Sequence, residues 1–423
     1  PLALLGSWNV AKRNWQFQIQ MLLLQIGMLG CFAAMDVVLF YVFFEVMLVP
    51  MYLLIGIWGG PNRLYATIKF FIYTMLGSLL MLISLLYTAN IYLDLNGAWS
   101  FSVLDWYGMQ IPPETQFWLF LGFAAAFAVK IPLFPLHTWL PDAHYEAPTA
   151  GSVQLAAVML KFGPYGFLRF AMPIFPAAVF DLTPIFMVLA LIGIIYGGLV
   201  AMVQPQIKRL IAYSSVAHMG YIVLGLFALN IQGLSGSWIQ MINHAIVTGA
   251  LFLTVGMIYE RTHTQEISAY GGVAHTMPKF AVFLVFFSMA SVGLPGLNGF
   301  VGEVLTMIGA ARVNIWYGIV AAFGVLVAAI YMLWMVQRVL FGPLTKDLVK
   351  NLNDFSLREV VVLVPLVFWT IFLGVYPQPF FDRIEVSINH YIELVKNQEP
   401  RFAQKEAKSS GLAKFLVWNL SER

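Results

Sequence analysis

The sequence has only one cysteine, Cys31, which lies inside an apolar stretch of the chain. One cysteine excludes an internal disulfide, and it also excludes an iron–sulfur cluster, which takes about four cysteine ligands. The sequence contains neither a G-x-G-x-x-G nor a Walker motif, the glycine-rich loops that hold dinucleotides and nucleotide phosphates. We therefore expect Cys31 to be a small core residue, and we expect any redox or nucleotide chemistry to lie on another subunit.

Charged residues are also scarce in this sequence. Charged residues make up 10% of the 423 residues, hydrophobic residues make up 60%, and the mean hydropathy is +0.81. A soluble domain needs more surface charge than this, so the composition predicts an all-α polytopic membrane protein. We predict eleven spans, each near the ~20 residues that cross the hydrocarbon layer as a helix. They lie at about 17–35, 37–57, 67–89, 117–140, 149–171, 184–204, 209–229, 237–259, 280–311, 314–341 and 358–376.

Lysine and arginine orient these spans. When the connections are assigned alternately to sides X and Y, side Y collects only Arg169 and Arg312 before the tail. Side X collects Lys12, Arg13, Arg63, Lys69, Lys208, Arg209, Arg261, Lys279, Arg338, Lys346, Lys350 and Arg358. By the positive-inside rule, side X is the cytoplasmic or matrix side.

The polar tail, 377–423, follows the last span and lies on side Y. Between Pro379 and Lys396 its apolar residues fall on one helical face: Ile384, Ile388, Tyr391, Ile392 and Val395. This spacing predicts an amphipathic helix that lies on the membrane or on a partner subunit.

Proline and glycine interrupt two of the spans. The fourth reads AVKIPLFPLHTWLP, with Pro132 and Pro135, and the ninth reads SVGLPGLNGFVGE, with Pro295 between two glycines. Membranes tolerate such breaks only where protein or water covers the freed backbone. Two broken helices five spans apart are typical of an inverted five-helix repeat, although simple proline kinks are the alternative.

Six ionisable residues lie near the middle of predicted spans: Glu45, Lys130, Lys161, His218, His244 and Glu303. Each such group costs at least about 2.5–3.5 kcal/mol at the bilayer centre on insertion scales. A row of them at one depth indicates a lateral path for protons or ions. A chain that only anchored other subunits would have no reason to carry this cost.

The first three residues of this row have distinct candidate roles. Glu45 has no charged neighbour in its own span, and Lys130 is the natural cation to pair with it. Making and breaking this pair would change proton affinity at both groups, which is the elementary step of a pump; a static structural pair is the alternative. Lys161 is expected three turns into a helix that starts near Pro148, where it could carry a proton onward; snorkelling to the surface is the alternative.

The last three residues of the row would continue the path. His218 and His244 lie in adjacent spans, and histidine relays protons near neutral pH. Each could instead be a packing residue, and a metal site is disfavoured because no cysteine or carboxylate recurs at ligand spacing. Glu303 is a candidate terminal proton acceptor, with a helix cap after Gly302 as the alternative.

Two polar groups lie outside this row. The segment HTWLPDAHYEAPT holds His137, Asp142, His144 and Glu146, for which a structured loop or proton uptake is favoured over a metal site. The pair Lys208–Arg209 begins a span on side X and is interpreted as a topogenic anchor.

Four strings carry a resemblance to a known family. They are AVKIPLFPLHTWLPDAHYEAPTAGSVQLAAVMLKFGPYG, LFYVFFEVMLVPMYLLIGIWG, KRLIAYSSVAHMGYI and GLPGLNGFVGE. With them the chain, up to about residue 376, resembles the antiporter-like subunits of respiratory complex I, the NADH–quinone oxidoreductase, and the related cation/proton antiporters. Glu303 favours one branch of the complex I subunits, since sister subunits and antiporters usually have lysine at that broken helix. Family members have fourteen spans, so eleven spans and a first residue other than Met imply three missing N-terminal spans.

The resemblance implies a function and an order of roles. Glu45 and Lys130 would form the coupling pair of a first half-channel (17–171), with Lys161 as the central relay. His218 and His244 would bridge to Glu303, the terminal group of a second half-channel (184–341), with 358–376 as a last span. The chain would be a proton-translocating subunit without cofactors of its own, in the bacterial or mitochondrial inner membrane. FMN, iron–sulfur clusters and quinone would belong to other subunits.

The partners that the resemblance implies are the antiporter-like subunits L and N on either side, together with the lipid bilayer; no nucleic acid is expected. Two other functions remain open. A subunit of a cation/proton antiporter or of a membrane-bound hydrogenase would share the fold but not the driving reaction. A solitary solute carrier is a further possibility, although the sequence shows no coherent polar pocket of substrate size.

Overall fold

The structure, a computed structural model, describes residues 1–397, which form helices joined by loops and turns, with two isolated β-bridges. Eight helices in the described part are long and apolar enough to cross a membrane. They are α1 (Asn14–Ala33), α2 (Val37–Trp58), α3 (Arg63–Asn96), α7 (Pro176–Met202), α8 (Ile207–Phe227), α9 (Ile231–Thr262), α12 (Ile315–Leu340) and α13 (Leu357–Val375). The all-α polytopic fold is confirmed.

The other three predicted spans are interrupted helices. The fourth span consists of α4 (Pro113–Lys130) and α5 (Trp139–Glu146), which are separated by turns at the prolines. The ninth consists of α10 (Pro278–Val292) and α11 (Asn298–Val313), with Gly293 and Gly296 at φ of 82° and 90° between them. Glycine adopts these positive φ angles without steric cost, which explains where the second break falls.

The fifth span, predicted as one continuous helix, is also broken, so that prediction was wrong. Helix α6 (Thr149–Ala157) ends at Ala157, and a 3₁₀ turn, Met159–Lys161, follows before the α-helical and π-helical turns that reach Ala171. Pro164 supplies the physical reason, because its ring removes one helix donor and clashes with the carbonyl four residues earlier. Lys161 therefore lies in an irregular turn and not on a regular helix.

Helices α8 and α9 form the centre of the molecule. In their most apolar stretches 94% and 78% of the residues are buried, compared with 33% in α1 and 28% in α13. Helix α7 packs on the outer side of α8, and α11 packs along α9. This arrangement brings side chains from α8, α9 and α11 together in the interior, away from lipid.

The tail begins with α14 (Gln378–Asn397), and residues 398–423 lie outside the described residues. Val395 is fully buried and Ile388, Tyr391 and Ile392 are partly buried, whereas Asp382, Arg383 and Glu385 are exposed. The apolar face of α14 rests on α9 and on the short helix Met172–Ile174 of the same chain. Helix α14 thus packs on its own chain, whereas the sequence had predicted that it lies on the membrane or on a partner subunit.

Candidate functional site

Four of the six predicted residues form one chain of contacts in the interior. Lys161 Nζ lies 2.6 Å from His244 Nδ1, and the His244 and His218 rings are 5.7 Å apart between centroids. His218 Nδ1 lies 2.8 Å from Glu303 Oε1. All four side chains are buried, and they come from the broken fifth span, α9, α8 and α11 in that order. The arrangement places four titratable side chains from four different segments in one buried row.

The break before Lys161 positions its ammonium group. Because α6 ends at Ala157, the carbonyl of Ala156 belongs to the last turn of that helix, whose carbonyls lack intrahelical donors. Lys161 Nζ donates to this carbonyl over 2.5 Å while also contacting His244. The predicted alternative of snorkelling is wrong, because the side chain points inward and Lys161 is only 5% exposed.

Glu303 lies within α11, one and a half turns after its start at Asn298, so it does not cap the helix. Its Oε1 also accepts a hydrogen bond from Gln240 Nε2 over 3.1 Å. The second nitrogen of His218, Nε2, lies 3.1 Å from the hydroxyl of Ser291 in the last turn of α10. The imidazole is therefore held on both edges by groups that flank the break between α10 and α11.

Glu45 and Lys130 form no salt bridge within the described residues. Lys130 is 1% exposed, its Nζ has no hydrogen-bond partner in the described part of the chain, and it lies 4.6 Å from the centre of the Phe44 ring. Glu45 is half-buried, and its Oε1 has no partner either. The predicted pair is thus open in this structure, and the Phe44 face holds the ammonium by a cation–π contact.

The segment 137–149 spreads its polar groups among different neighbours. Asp142 forms salt bridges with Lys69 at 2.8 Å and Arg209 at 3.1 Å. Glu146 Oε2 accepts a hydrogen bond from the backbone N–H of Asn62 over 3.0 Å. His144 stacks on a phenylalanine ring in α9, and His137 packs among aromatic rings. Within the part of the chain that the structure describes, these groups do not converge on a metal-sized site.

Lys208 and Arg209 do more than orient the chain. Lys208 is 2% exposed, and its Nζ donates to the carbonyl of Ala147 over 2.9 Å. Arg209 reaches Asp142 at the other end of α5. The interpretation as topogenic anchors missed these contacts, which fix the foot of the broken fourth span on α8. Their partners lie about sixty residues away, so no local sequence pattern identified them.

Sequence reasoning also missed the polar residues that surround the row. Gln240, Asn243, Ser291 and Asn298 are buried around His218 and Glu303. Their signal was present in the sequence, since Asn243 precedes His244 and Gln240 lies one helical turn before it. A carboxamide inside a membrane helix indicates a polar interior site, as an ionisable residue does, although burying it costs less free energy.

Comparison with known proteins yields one family. The family model described as "NADH:quinone oxidoreductase/Mrp antiporter, TM" matches residues 34–368. The chain is 48% identical over 402 residues to the NADH-quinone oxidoreductase subunit M of Rhodobacter capsulatus, which covers 93% of this chain and 78% of that protein. It is 42% identical over 396 residues to the NADH-ubiquinone oxidoreductase chain 4 of Chondrus crispus, covering 93% of this chain and 79% of the relative.

The fold has a close counterpart among solved structures. A chain of the respiratory complex I from Thermus thermophilus with bound NADH superimposes with a TM-score of 0.86 at 35% sequence identity. The match covers 93% of this chain and 82% of the other.

Proposed function

The chain belongs to the NADH:quinone oxidoreductase/Mrp antiporter transmembrane family, and on this premise we propose that its row from Glu45 to Glu303 is a proton pathway. The chain is a multi-pass subunit of the membrane arm of NADH–quinone oxidoreductase, of the subunit M or chain 4 type, in bacterial or mitochondrial membranes. As such it is part of a proton-translocating enzyme. Electron transfer from NADH to quinone takes place on other subunits, which hold FMN and the iron–sulfur clusters.

One observation carries the proposed pathway: the contact chain Lys161–His244–His218–Glu303. A proton on Lys161 is within hydrogen-bond distance of His244 Nδ1, and a proton on His218 is within hydrogen-bond distance of Glu303. Histidine gains and loses a proton near neutral pH without a large rearrangement. The four groups therefore link the first half-channel (17–171) to the second (184–341), while 358–376 adds a last span.

Glu45 and Lys130 are the control point of the pathway. Closing this pair would stabilise a proton on Lys130, and opening it would release the proton toward Lys161. Two unit charges about 4 Å apart at an effective dielectric constant of about 20 interact with about 4 kcal/mol. Moving one proton against 100 mV needs about 2.3 kcal/mol. The interaction energy of one pair that opens and closes is thus comparable with the work of moving one proton across the membrane.

The proposed neighbours are the antiporter-like subunits L and N of the same complex. Glu45 is half-buried on the surface of this chain, where a partner subunit can complete its surroundings. The lipid bilayer surrounds the remainder, and no nucleic acid takes part.

A cation/proton antiporter subunit is the second candidate, because the matching family model includes Mrp antiporters. This chain has glutamate at position 303, whereas the resemblance described above assigns lysine to that position in antiporters. The glutamate therefore argues against the antiporter candidate. A proton relay also needs no site for a bare cation, whereas exchange of Na⁺ would need several oxygen ligands.

The test is NADH-driven proton uptake by inverted membrane vesicles that carry Glu45→Gln, measured together with NADH oxidation. The exposed acid Glu114 offers a matched control, since Glu114→Gln makes the same chemical change outside the row. We expect Glu45→Gln and Lys161→Met to lower the protons taken up per NADH and Glu114→Gln to leave that ratio unchanged. Normal uptake in both row variants, with assembled complex, would refute the pathway and favour cation exchange or a scaffold.

A further inference from the structure

The break between α10 and α11 does little by itself to fix these two helices relative to each other. His218 contacts both sides of the break, Ser291 in the last turn of α10 and Glu303 in α11. The connection contains Gly293 and Gly296, and glycine adopts many backbone conformations at little steric cost. The restraint that keeps both contacts in place must therefore come from other parts of the two helices.

A side chain from a distant loop caps the first half of this broken helix. Helix α10 begins at Pro278, and the residue before it makes no capping hydrogen bond. Asp354 supplies the cap instead: its Oδ2 accepts from the backbone N–H of Lys279 over 2.8 Å, and its Oδ1 accepts from that of Phe280 over 3.2 Å. The first N–H groups of a helix have no partner within it, and a carboxylate there also interacts favourably with the helix dipole. The start of α10 is thus fixed to the loop between α12 and α13.

The same loop is attached to α9 and to α13. Arg261, in the last turn of α9, donates from Nε to the carbonyl of Asn353 over 2.9 Å, and it also pairs with Glu359 in the first turn of α13. Phe355 is 2% exposed, and its ring packs edge-on against Phe280 of α10 with 5.6 Å between the centroids. The end of α9 and the starts of α10 and α13 therefore meet at one junction on side X.

The other end of α13 lies against the break. A Cβ atom added at Gly374 would lie 2.5 Å from Leu297 Cα and would also collide with the carbonyl oxygen of Gly296. Between its two ends α13 packs along α9 and α11. The 19 residues of α13 span about 28 Å and the 15 residues of α10 span about 22 Å. Because α13 starts beside the start of α10 and is about one turn longer, it reaches the break at the other end of α10.

We propose that Asp354 and Gly374 are positioning residues of the proton pathway, which act through α13 to hold the break so that Ser291 and Glu303 contact His218 together. This inference rests on the proposed function of the row. Asp354 fixes the start of α10, and Gly374 lets α13 lie directly on the connection to α11. Neither residue touches the row, so each acts only through the position of the two helix halves.

The contact between Ser291 and His218 has little tolerance for movement of α10. Its length is 3.1 Å, so a shift of about 0.5 Å already takes it out of hydrogen-bond distance. A displacement at the start of α10 reaches Ser291 because the helix between them is continuous. Loss of this contact would leave Nε2 of the buried imidazole without its partner, which costs about 1–3 kcal/mol and removes one of the two groups that decide which nitrogen carries the proton.

The test compares variants of the intact complex in inverted membrane vesicles, with protons per NADH and complex content measured on the same membranes. Asp354→Ala removes the cap from α10, whereas Asp354→Asn keeps a capping oxygen. Asn314→Ala is the matched control, because Asn314 caps α12, which carries no residue of the row, by accepting from the N–H of Trp316 over 3.0 Å. We expect Asp354→Ala to lower protons per NADH as far as Ser291→Ala does. Asp354→Asn and Asn314→Ala should keep the parental ratio.

Gly374→Ala tests the other end of α13 and removes no hydrogen-bonding group, so it remains informative if Asp354→Ala does not assemble. The added methyl group must push α13 away from the connection between α10 and α11. We expect a lower ratio of protons per NADH in this variant. Gly193→Ala is its control, because a Cβ atom there would have its nearest neighbour 4.0 Å away.

A double variant separates positioning from a general loss of stability, which would lower complex content but not the ratio in the complex that remains. If Asp354 acts through Ser291, Asp354→Ala combined with Ser291→Ala lowers protons per NADH no further than Ser291→Ala alone. Additive losses would overturn this inference. A parental ratio in assembled Asp354→Ala or Gly374→Ala, with Lys161→Met impaired, would overturn it as well. A parental ratio in Lys161→Met would overturn the proposed function instead.

Discussion

Gly236 sets the distance between the helix that carries His244 and the helix that carries Glu303. A Cβ atom added at Gly236 would lie 2.6 Å from the backbone nitrogen of Thr306 and 2.8 Å from Leu305 Cβ, both on α11. Ordinary contacts need about 3.5–4.0 Å, so α11 must move away from α9 by about 1 Å in Gly236→Ala. Small residues at such crossings let membrane helices approach closely.

This movement acts on the His218–Glu303 contact, which is one turn away from Thr306. The contact is 2.8 Å long and is a charged pair only while His218 holds a proton. At an effective dielectric constant of about 20, lengthening it by about 1 Å removes about 1.5 kcal/mol of attraction. That corresponds to about a tenfold change in the equilibrium constant for forming this contact. The hydrogen bond is also lost at such a distance.

The assay is proton uptake per NADH in inverted vesicles, with complex content measured on the same membranes. Gly193→Ala is the control, because its Cβ would lie 4.0 Å from its nearest neighbour, the Val216 carbonyl oxygen. We expect Gly236→Ala to lower proton uptake per NADH and Gly193→Ala to leave it unchanged. An unaltered ratio in assembled Gly236→Ala complex would show that the relay does not depend on the α9–α11 spacing.

Two further predictions concern stability on side X. Glu359 is 4% exposed and pairs with Arg261 through two hydrogen bonds of 2.7 and 2.8 Å, so Arg261→Met should destabilise the subunit by about 3 kcal/mol. The thermal inactivation of NADH oxidation measures this loss of stability. Adding Glu359→Leu to Arg261→Met should restore much of the lost stability, because it removes the unpaired buried carboxylate. Equal inactivation of the single and the double variant would contradict this explanation. Asp142→Asn should cost less, about 1 kcal/mol, because Lys69 and Arg209 are partly exposed. A loss as large as that of Arg261→Met would indicate that the foot of the broken helix bears more of the stability than these salt bridges imply.

The sequence predicts those structural features that are caused by neighbouring residues in the chain. The eleven spans and the breaks at Pro132, Pro135 and Pro295 follow from hydropathy and from the missing proline N–H, so they could be predicted. The break before Lys161 has a local cause as well, Pro164, but the apolar run around it concealed the signal. The foot of the broken fourth span could not be predicted, since Lys208 and Ala147 meet only when distant helices pack.

The sequence by itself determined that ionisable groups lie within apolar spans, because the length of a span and the position of a charge within it are properties of the chain alone. Only the tertiary structure decided which groups touch. It joins Lys161 to His244 and His218 to Glu303, and it leaves Lys130 against Phe44 instead of Glu45. The physical reason is that the hydropathy of a span is the sum of its own residues, so it can be read from the sequence. A hydrogen bond between helices depends on their separation to within a few tenths of an ångström, and the packing of the whole molecule sets that separation.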